Sequence, residues 1–246
     1  MTVVVVSGTG TEIGKTVTTA AVAALALASG RSVAMLKPAQ TGVAPGEPGD
    51  AQEVKRLAGD AVTTLELARF PEPLAPNTAA RRAGMEPVRP YEVATAAEKL
   101  AAEHDLVLVE GAGGLLVRYD DEGATLADAA RLLSAPVLVV ASAGLGTLNS
   151  TALTAEALRA RGLTPLGVTI GSWATAPDLA SRCNLADLPQ SAGAPLLGAV
   201  PQGAGSLTRP DFRTQAADWL APQLGGRWDA GTFTGREAPR GLGVAG

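Results

Sequence analysis

The sequence is poor in the residue types that most often announce a site. Of 246 residues one is cysteine, Cys183, and one is histidine, His104. A lone cysteine excludes an intrachain disulfide framework and any metal site built from several thiolates, and it points to a reducing compartment. A lone histidine excludes multi-histidine metal centres, and His104 falls at the end of a helix candidate, where it reads as a surface residue. Aromatic residues make up only 3%, charged residues 18%, and the formal net charge is -4. That balance excludes a strongly basic nucleic-acid binder, while a hydrophobic share of 46% excludes a disordered chain. Long apolar runs are missing too: the longest, residues 20–28, is far short of the roughly 18 residues that suggest a membrane span. The amino-terminal valine run has no basic region before it and reads as a strand, so a cytoplasmic protein with no membrane partner is expected.

What the sequence does have is glycine, 29 residues, and proline, 17, above ordinary usage for a soluble domain. Turns, rather than aromatic pockets, must shape the molecule. Short valine-rich runs alternate with alanine- and leucine-rich segments, the pattern of a doubly wound α/β fold with a mainly parallel sheet. Strands are predicted over 3–6, 33–36, 106–109, 137–140, 166–170 and 196–200, each continuously apolar as befits burial on both faces. Helices are predicted over 14–28, 51–58, 75–83, 90–103, 126–133, 148–161, 178–188 and 212–220. The Gly/Pro-rich stretch 38–49 reads as a long loop. One domain is expected over 1–224, and residues 225–246, which lack hydrophobic periodicity, are expected to form a poorly ordered tail.

The first strand runs into Ser7-Gly8-Thr9-Gly10-Thr11-Glu12-Ile13-Gly14-Lys15-Thr16-Val17 and then into an alanine-rich helix. Strand, glycine-rich turn, Gly-Lys-Thr and helix form a P-loop. Its glycines let backbone N–H groups wrap phosphate oxygens, the helix amino terminus adds its positive end, Lys15 adds a charge and Thr16 can ligate Mg²⁺. A nucleoside triphosphate is the inferred ligand. The loop is one residue longer than the common form. A dinucleotide-binding reading through Gly8-Thr9-Gly10 is weaker, because Ile13 stands where the third glycine belongs.

Phosphoryl transfer needs carboxylates for the metal and positive charge on the moving phosphoryl group. Glu110 directly follows the 106–109 strand, so it emerges at the carboxyl edge where ligands bind in doubly wound sheets. Asp50 closes the 38–49 stretch and can join Thr16 and Glu110 around Mg²⁺, although a helix cap explains an aspartate there equally well. Lys37 follows the second strand on the same edge. A solvated lysine is its plainer reading, and the neighbouring P-loop shifts the balance toward function.

Together these residues resemble the dethiobiotin synthase family. The resemblance rests on Gly8 to Thr16, on Lys37-Pro38-Ala39-Gln40-Thr41-Gly42, on Val109-Glu110-Gly111-Ala112-Gly113-Gly114 and on Leu145-Gly146-Thr147-Leu148-Asn149, and it spans about residues 2–220. It implies a homodimeric ligase that converts 7,8-diaminononanoate, CO₂ and a nucleoside triphosphate into dethiobiotin through a carbamate and a carbamic-phosphoric anhydride. It further implies that Lys37 and Lys15 stabilise the carbamate and the transferring phosphoryl group, and that Thr16, Asp50 and Glu110 hold Mg²⁺. Thr11 and Thr41 would bond the carbamate or diamine end, with Thr41 standing where many relatives have serine. Glu12, Ile13, Gly14 and Val17 would complete the phosphate loop, and the backbone of Gly111, Ala112 and Gly113 would line the substrate. Gly146, Thr147, Leu148 and Asn149 would receive the substrate's carboxylate from the partner subunit. Nucleotide contacts would also come from Gly171, Ser172, Pro201, Gln202 and Gly203. Here the sequence departs from its relatives, many of which carry Asn-Asp where Gly171-Ser172 stands; a glycine cannot read a base edge, so a relaxed base preference is expected.

Two other functions share the expected fold. A partitioning ATPase would place an extra lysine early in the P-loop, where this chain has Thr9 to Ile13, and would bring a membrane-targeting or basic surface segment. An amide-forming synthase for a corrinoid precursor would add a glutamine-cleaving domain, for which no cysteine and histidine arrangement remains. Cys183 reads as a packing residue, Trp173 as a base-stacking or a buried residue, and Arg81, Arg82 and the acidic run 120–122 as solvated surface.

Overall fold

The computed structural model describes residues 2–239. Seven strands form one all-parallel sheet: β1 (Thr2–Gly8), β2 (Val33–Thr41), β3 (Thr63–Phe70), β4 (Leu106–Gly114), β5 (Val137–Ala141), β6 (Pro165–Trp173) and β7 (Leu196–Pro201). Their order across the sheet is β3-β2-β4-β1-β5-β6-β7. The helices are α1 (Lys15–Ala28), α2 (Asp50–Ala58), α3 (Pro76–Ala83), α4 (Pro90–Glu103), α5 (Leu126–Leu132), α6 (Thr147–Arg159), α7 (Leu179–Ala192), α8 (Arg209–Gln215) and α9 (Ala230–Glu237). The fold is the doubly wound α/β arrangement that the sequence pattern predicts. Val5, Val6, Leu108, Val109, Leu138 and Val140 are wholly buried, as the continuous apolar runs require of strands covered on both faces. Because β1 lies between β4 and β5, the P-loop leaves the middle of the sheet, with Glu110 on the neighbouring strand.

Four expectations change. Strand β3 is absent from the sequence reading because it is an edge strand: Thr-Thr-Leu-Glu-Leu-Ala-Arg-Phe mixes polar with apolar residues and is only partly covered. Strand β2 continues past Leu36 to Thr41, so the predicted 38–49 loop shrinks to 42–49. Pairing with β4 ends at Leu36 while pairing with β3 goes on to Thr41, and Pro38 is therefore tolerated in a stretch laddered on one side only. The helix expected over 212–220 starts earlier, at Arg209, and passes into a 3₁₀ turn over Ala216–Asp218.

The fourth is the tail. Residues 225–239 are not poorly ordered. Trp228 is buried, Asp229 caps α9 by accepting from the Thr232 amide at 2.7 Å, and Phe233 packs on Trp173 and Trp228 with ring centroids 5.4 and 5.2 Å apart. Two aromatic anchors are enough to dock a segment that has no helical periodicity of its own. The remaining part of the expected tail, 240–246, lies outside the described residues. Just before this segment, Ala199 and Ala221 donate to the carbonyls of Trp219 and Leu197, so residues around Leu220 lie antiparallel along β7. Among the described residues no helix is long and apolar enough to cross a membrane.

Candidate functional site

The P-loop is a short backbone path made possible by special dihedrals. Gly14, the last residue before α1, has φ 93°, and Glu12 has φ 57°, an uncommon value for a residue with a side chain. Lys15 opens α1, is 8% exposed, and folds back to donate from Nζ to the Gly10 carbonyl at 2.8 Å. The loop therefore already brings its lysine to the concave side, where phosphates are received.

Beneath it lies a buried polar cluster. Glu110 is fully buried, and its carboxylate accepts from Thr16 Oγ1 at 2.9 Å, Thr19 Oγ1 at 2.6 Å and Lys37 Nζ at 3.0 Å. Lys37 is 3% exposed; it also donates to the Gly111 carbonyl at 3.2 Å and pairs with Asp50. Burial alone would strip the Lys37 charge, but Glu110 and Asp50 outweigh it and hold the ammonium above its ordinary range. Lys15 shifts the other way. Burial and the nearby Lys37 lower it, with Glu110 and Asp50 opposing. Two lysines of unlike character thus face one cavity, one locked in its charged form and one poised to gain a partner anion.

That cavity has a volume of about 440 Å³. Thr11, Glu12, Gly14, Lys15, Thr16, Val17, Lys37, Thr41, Asp50, Ala112 and Gly113 line it, so the phosphate loop, both lysines and Asp50 meet in one place. Glu110 is its floor rather than its wall. Gly111 lies in β4, where a Cβ would meet the movable end of Leu126 at 2.4 Å. Ile13 lends its backbone and turns its side chain toward Gly8.

The remaining predicted residues lie outside this cavity. Gly171 abuts the phosphate loop: a Cβ at Gly171 would sit 2.0 Å from the Ile13 carbonyl oxygen, and one at Gly14 would sit 2.1 Å from the Gly171 carbonyl oxygen. Neither position has room for a side chain. The Gln202 amide donates to the Trp173 carbonyl at 2.7 Å, and Gly205, in the turn that follows Gly203, approaches Val17. The 201–205 turn thus joins β6 and the end of the phosphate loop, while Ser172 is exposed and Pro201 borders a second cavity of about 760 Å³ walled by Trp173, Trp219, Trp228 and Phe233. Gly146 precedes α6, and Thr147, Leu148 and Asn149 form its first turn. Thr147 spends its hydroxyl on the Ser142 carbonyl at 2.6 Å, and Leu145 beside them is 90% exposed.

Sequence reasoning missed Thr19, Gln40 and Tyr119. Thr19 lies one turn after Thr16 on the same face of α1, a spacing that could have flagged it. Gln40 lines the cavity and accepts from the Asp50 amide at 2.8 Å. Tyr119 is wholly buried beside Ala112 in the last part of β4, which runs past Glu110 to Gly114, and burial pushes its phenol up. His104 caps the end of α4, bonded to the Leu100 carbonyl and Thr63 Oγ1, and takes no part in the site.

For a metal, the donor set decides. Among the described residues no cluster of three or more His, Cys, Asp or Glu forms a dedicated cage. Two carboxylates and one hydroxyl beside a phosphate loop offer only oxygen, which fits Mg²⁺, a cation that takes one or two carboxylates together with phosphates and water.

The chain matches the AAA domain family over residues 2–209. It is 72% identical to the ATP-dependent dethiobiotin synthetase BioD of Streptomyces avermitilis over 239 residues, 97% of this chain and all of that one. Identity is 71% with the Streptomyces coelicolor protein of the same name over equal coverage, and 49% with that of Corynebacterium kroppenstedtii over 92% of this chain and 97% of its relative. Among solved structures, a ParA family ATPase from Chlorobium tepidum matches with TM-score 0.56 and 14% identity over 91% of this chain and 95% of that one. MinD from Aquifex aeolicus matches with TM-score 0.53 and 12% identity over 88% and 87%. These two likenesses show a shared fold and nothing finer.

Proposed function

The chain belongs to the ATP-dependent dethiobiotin synthetase family, a family of cyclo-ligases that form C–N bonds at the expense of a nucleotide, and from this we propose how its own residues carry out that reaction. The substrates are 7,8-diaminononanoate, CO₂ and a nucleoside triphosphate, and the products dethiobiotin, the diphosphate and phosphate. The observation that carries the reading is Lys37, a nearly buried ammonium fixed on the wall of the phosphate cavity by Glu110 and Asp50. A switching ATPase would carry its extra lysine within the P-loop itself, whereas Lys37 comes from β2.

One amine of the substrate bonds to CO₂ and releases a proton, giving a carbamate. A carbamate oxygen attacks the γ-phosphorus as the bond to the diphosphate breaks. The second amine then attacks the carbamoyl carbon, losing a proton as phosphate leaves, and the ring closes. Lys15 and Lys37 supply fixed positive charge at both centres of developing negative charge, in a setting of low dielectric where such charge counts most. Thr11, 3.5 Å from where a Cβ of Gly113 would lie, and Thr41 hold the carbamate end against the Glu110 turn. Thr16, Asp50 and Glu110 hold Mg²⁺, which neutralises charge on the phosphates when bound.

The base rests against Gly171, Ser172 and the 201–203 backbone, and no side chain at 171 selects it. This arrangement gives a relaxed base preference. The carboxylate tail of the substrate reaches Gly146 to Asn149 of a partner subunit in a homodimer, where the amino terminus of α6 presents its positive end. The proposed location is the cytoplasm.

Phosphate release with Mg²⁺, bicarbonate and nucleotide, measured with and without 7,8-diaminononanoate, tests the reading. Release that depends on the diamine is expected, and release indifferent to it overturns the proposal. Repeating the assay with ATP, CTP and GTP at low concentration tests base preference, which fails if ATP is strongly favoured over both others.

A further inference from the structure

Asp50 does not fix its own position. It is the first residue of α2, a third exposed, and the bonds that hold its neighbourhood come from the two outer strands. Gln40 on β2 and Arg69 on β3 are direct register partners. Gln40 accepts the Asp50 amide through Oε1 at 2.8 Å. Arg69 donates from Nη1 to the carbonyls of Ala44 at 3.2 Å and Glu47 at 2.6 Å, while Glu66 accepts from its Nε at 2.7 Å and its Nη2 at 2.9 Å. The Arg69 and Glu66 side chains are only 18% and 17% exposed, unlike an ordinary surface pair. Gly49 passes between them: a Cβ there would lie 2.7 Å from Gln40 Oε1 and 3.0 Å from Arg69 Nη2. One guanidinium therefore ties the middle of the 42–49 segment to the sheet, and one amide ties its end.

We propose that Arg69, braced by Glu66 and acting with Gln40, is a positioning residue for the ligase reaction. It holds the 42–49 segment so that Asp50 stands where Mg²⁺ and Lys37 require it. The proposal rests on the reading of Asp50 as a metal ligand. Arg69 touches no substrate; its effect is on the carboxylate, in the way that outer partners of a metal ligand set its orientation.

Two measurements test it in the full-length protein. In the metal-free, nucleotide-free protein, Arg69→Met should speed amide hydrogen exchange across residues 44–53 while leaving α6 and α7 unchanged. In turnover at saturating nucleotide and diamine, the same variant should raise the Mg²⁺ concentration for half-activity by about tenfold, the size expected when an outer-shell partner is lost. KM for nucleotide at saturating Mg²⁺ should stay within about twofold, a separation that a general loss of structure would not give. Arg69→Lys, able to reach one carbonyl, should fall between. Should Arg69→Met fail to fold, Glu66→Gln, which loosens the brace and leaves the loop bonds, should show the same shift at smaller size.

Unchanged Mg²⁺ half-saturation in Arg69→Met, or in Glu66→Gln where that replaces it, overturns the proposal. Asp50→Asn separates its two layers. If Asp50→Asn shifts the Mg²⁺ requirement and Arg69→Met does not, the positioning role alone is lost. If Asp50→Asn shifts nothing, the metal reading of Asp50 falls and takes the positioning role with it.

Discussion

The two halves of the sheet's carboxyl edge are made of different materials. On the β2-β4-β1 side, function is assigned to charged and hydroxyl side chains that are buried and mutually bonded, with Glu110 wholly and Lys37 almost wholly out of solvent. On the β6-β7 side, it is assigned to backbone and to Gly171, where a side chain has no room, beside a cavity walled by three tryptophans. In the proposed reaction, charge is handled by residue identity, whereas the nucleotide's other end is handled by shape. A substitution on the first side should alter chemistry, and one on the second should alter fit.

The largest effect is expected at Lys37. Lys37→Gln should lower single-turnover phosphate release by about 10³-fold or more, since fixed charge at a reacting centre is worth several kcal/mol. It should also lower stability by about 3 kcal/mol in denaturant melts, because Glu110 is left buried without its counter-charge. A variant as active as the parent would erase the distinction between the two sides.

An intermediate effect is expected at Gly171. Gly171→Asn has to displace the Ile13 carbonyl, so calorimetry should show ATP, CTP, GTP and inorganic tripolyphosphate all weakened by about tenfold, the usual scale of overpacking. A gain of ATP selectivity without loss of tripolyphosphate binding would mean that the base side also reads by side chain.

The smallest effect is expected at Trp228. Among the described residues its indole N–H is buried without an acceptor, so Trp228→Phe removes an unsatisfied donor along with some apolar surface. Turnover should be unchanged and unfolding free energy should move by less than about 1 kcal/mol. A large loss of turnover would tie the aromatic side to the chemistry.

The same division governs what could be read from the sequence. Lys15, Thr16, Lys37 and Glu110 were legible because each stands within a contiguous motif or directly after an apolar strand, and strand ends locate the edge at which they meet. Asp50 was legible as an acid near the phosphates, but the bonds that position it were not. Those come from Gln40 and Arg69, and Arg69 sits on β3, whose mixed polarity as an edge strand hid it from a search for continuous apolar runs. Gly171 was noticed for the side chain it lacks, while the reason for the lack, a backbone passing within contact distance, is a fact of three dimensions. The order of the 225–239 segment is not legible in the sequence because it depends on Trp228 and Phe233 finding Trp173, a partner far away in sequence.

The antiparallel run of residues around Leu220 along β7 has a bearing on solubility as well. A parallel sheet ends in a row of unpaired amides and carbonyls that any passing extended chain can extend, and natural proteins protect such rows by covering them. Here Ala199 and Ala221 have already spent their N–H groups, and the Gly198 Cα lies against the Trp219 carbonyl and Leu220. The chain is its own stopper at this end. The stretch from Trp219 to Ala221 therefore guards a concentrated solution of the enzyme against strand-to-strand coalescence, a service distinct from anything the active site asks of it.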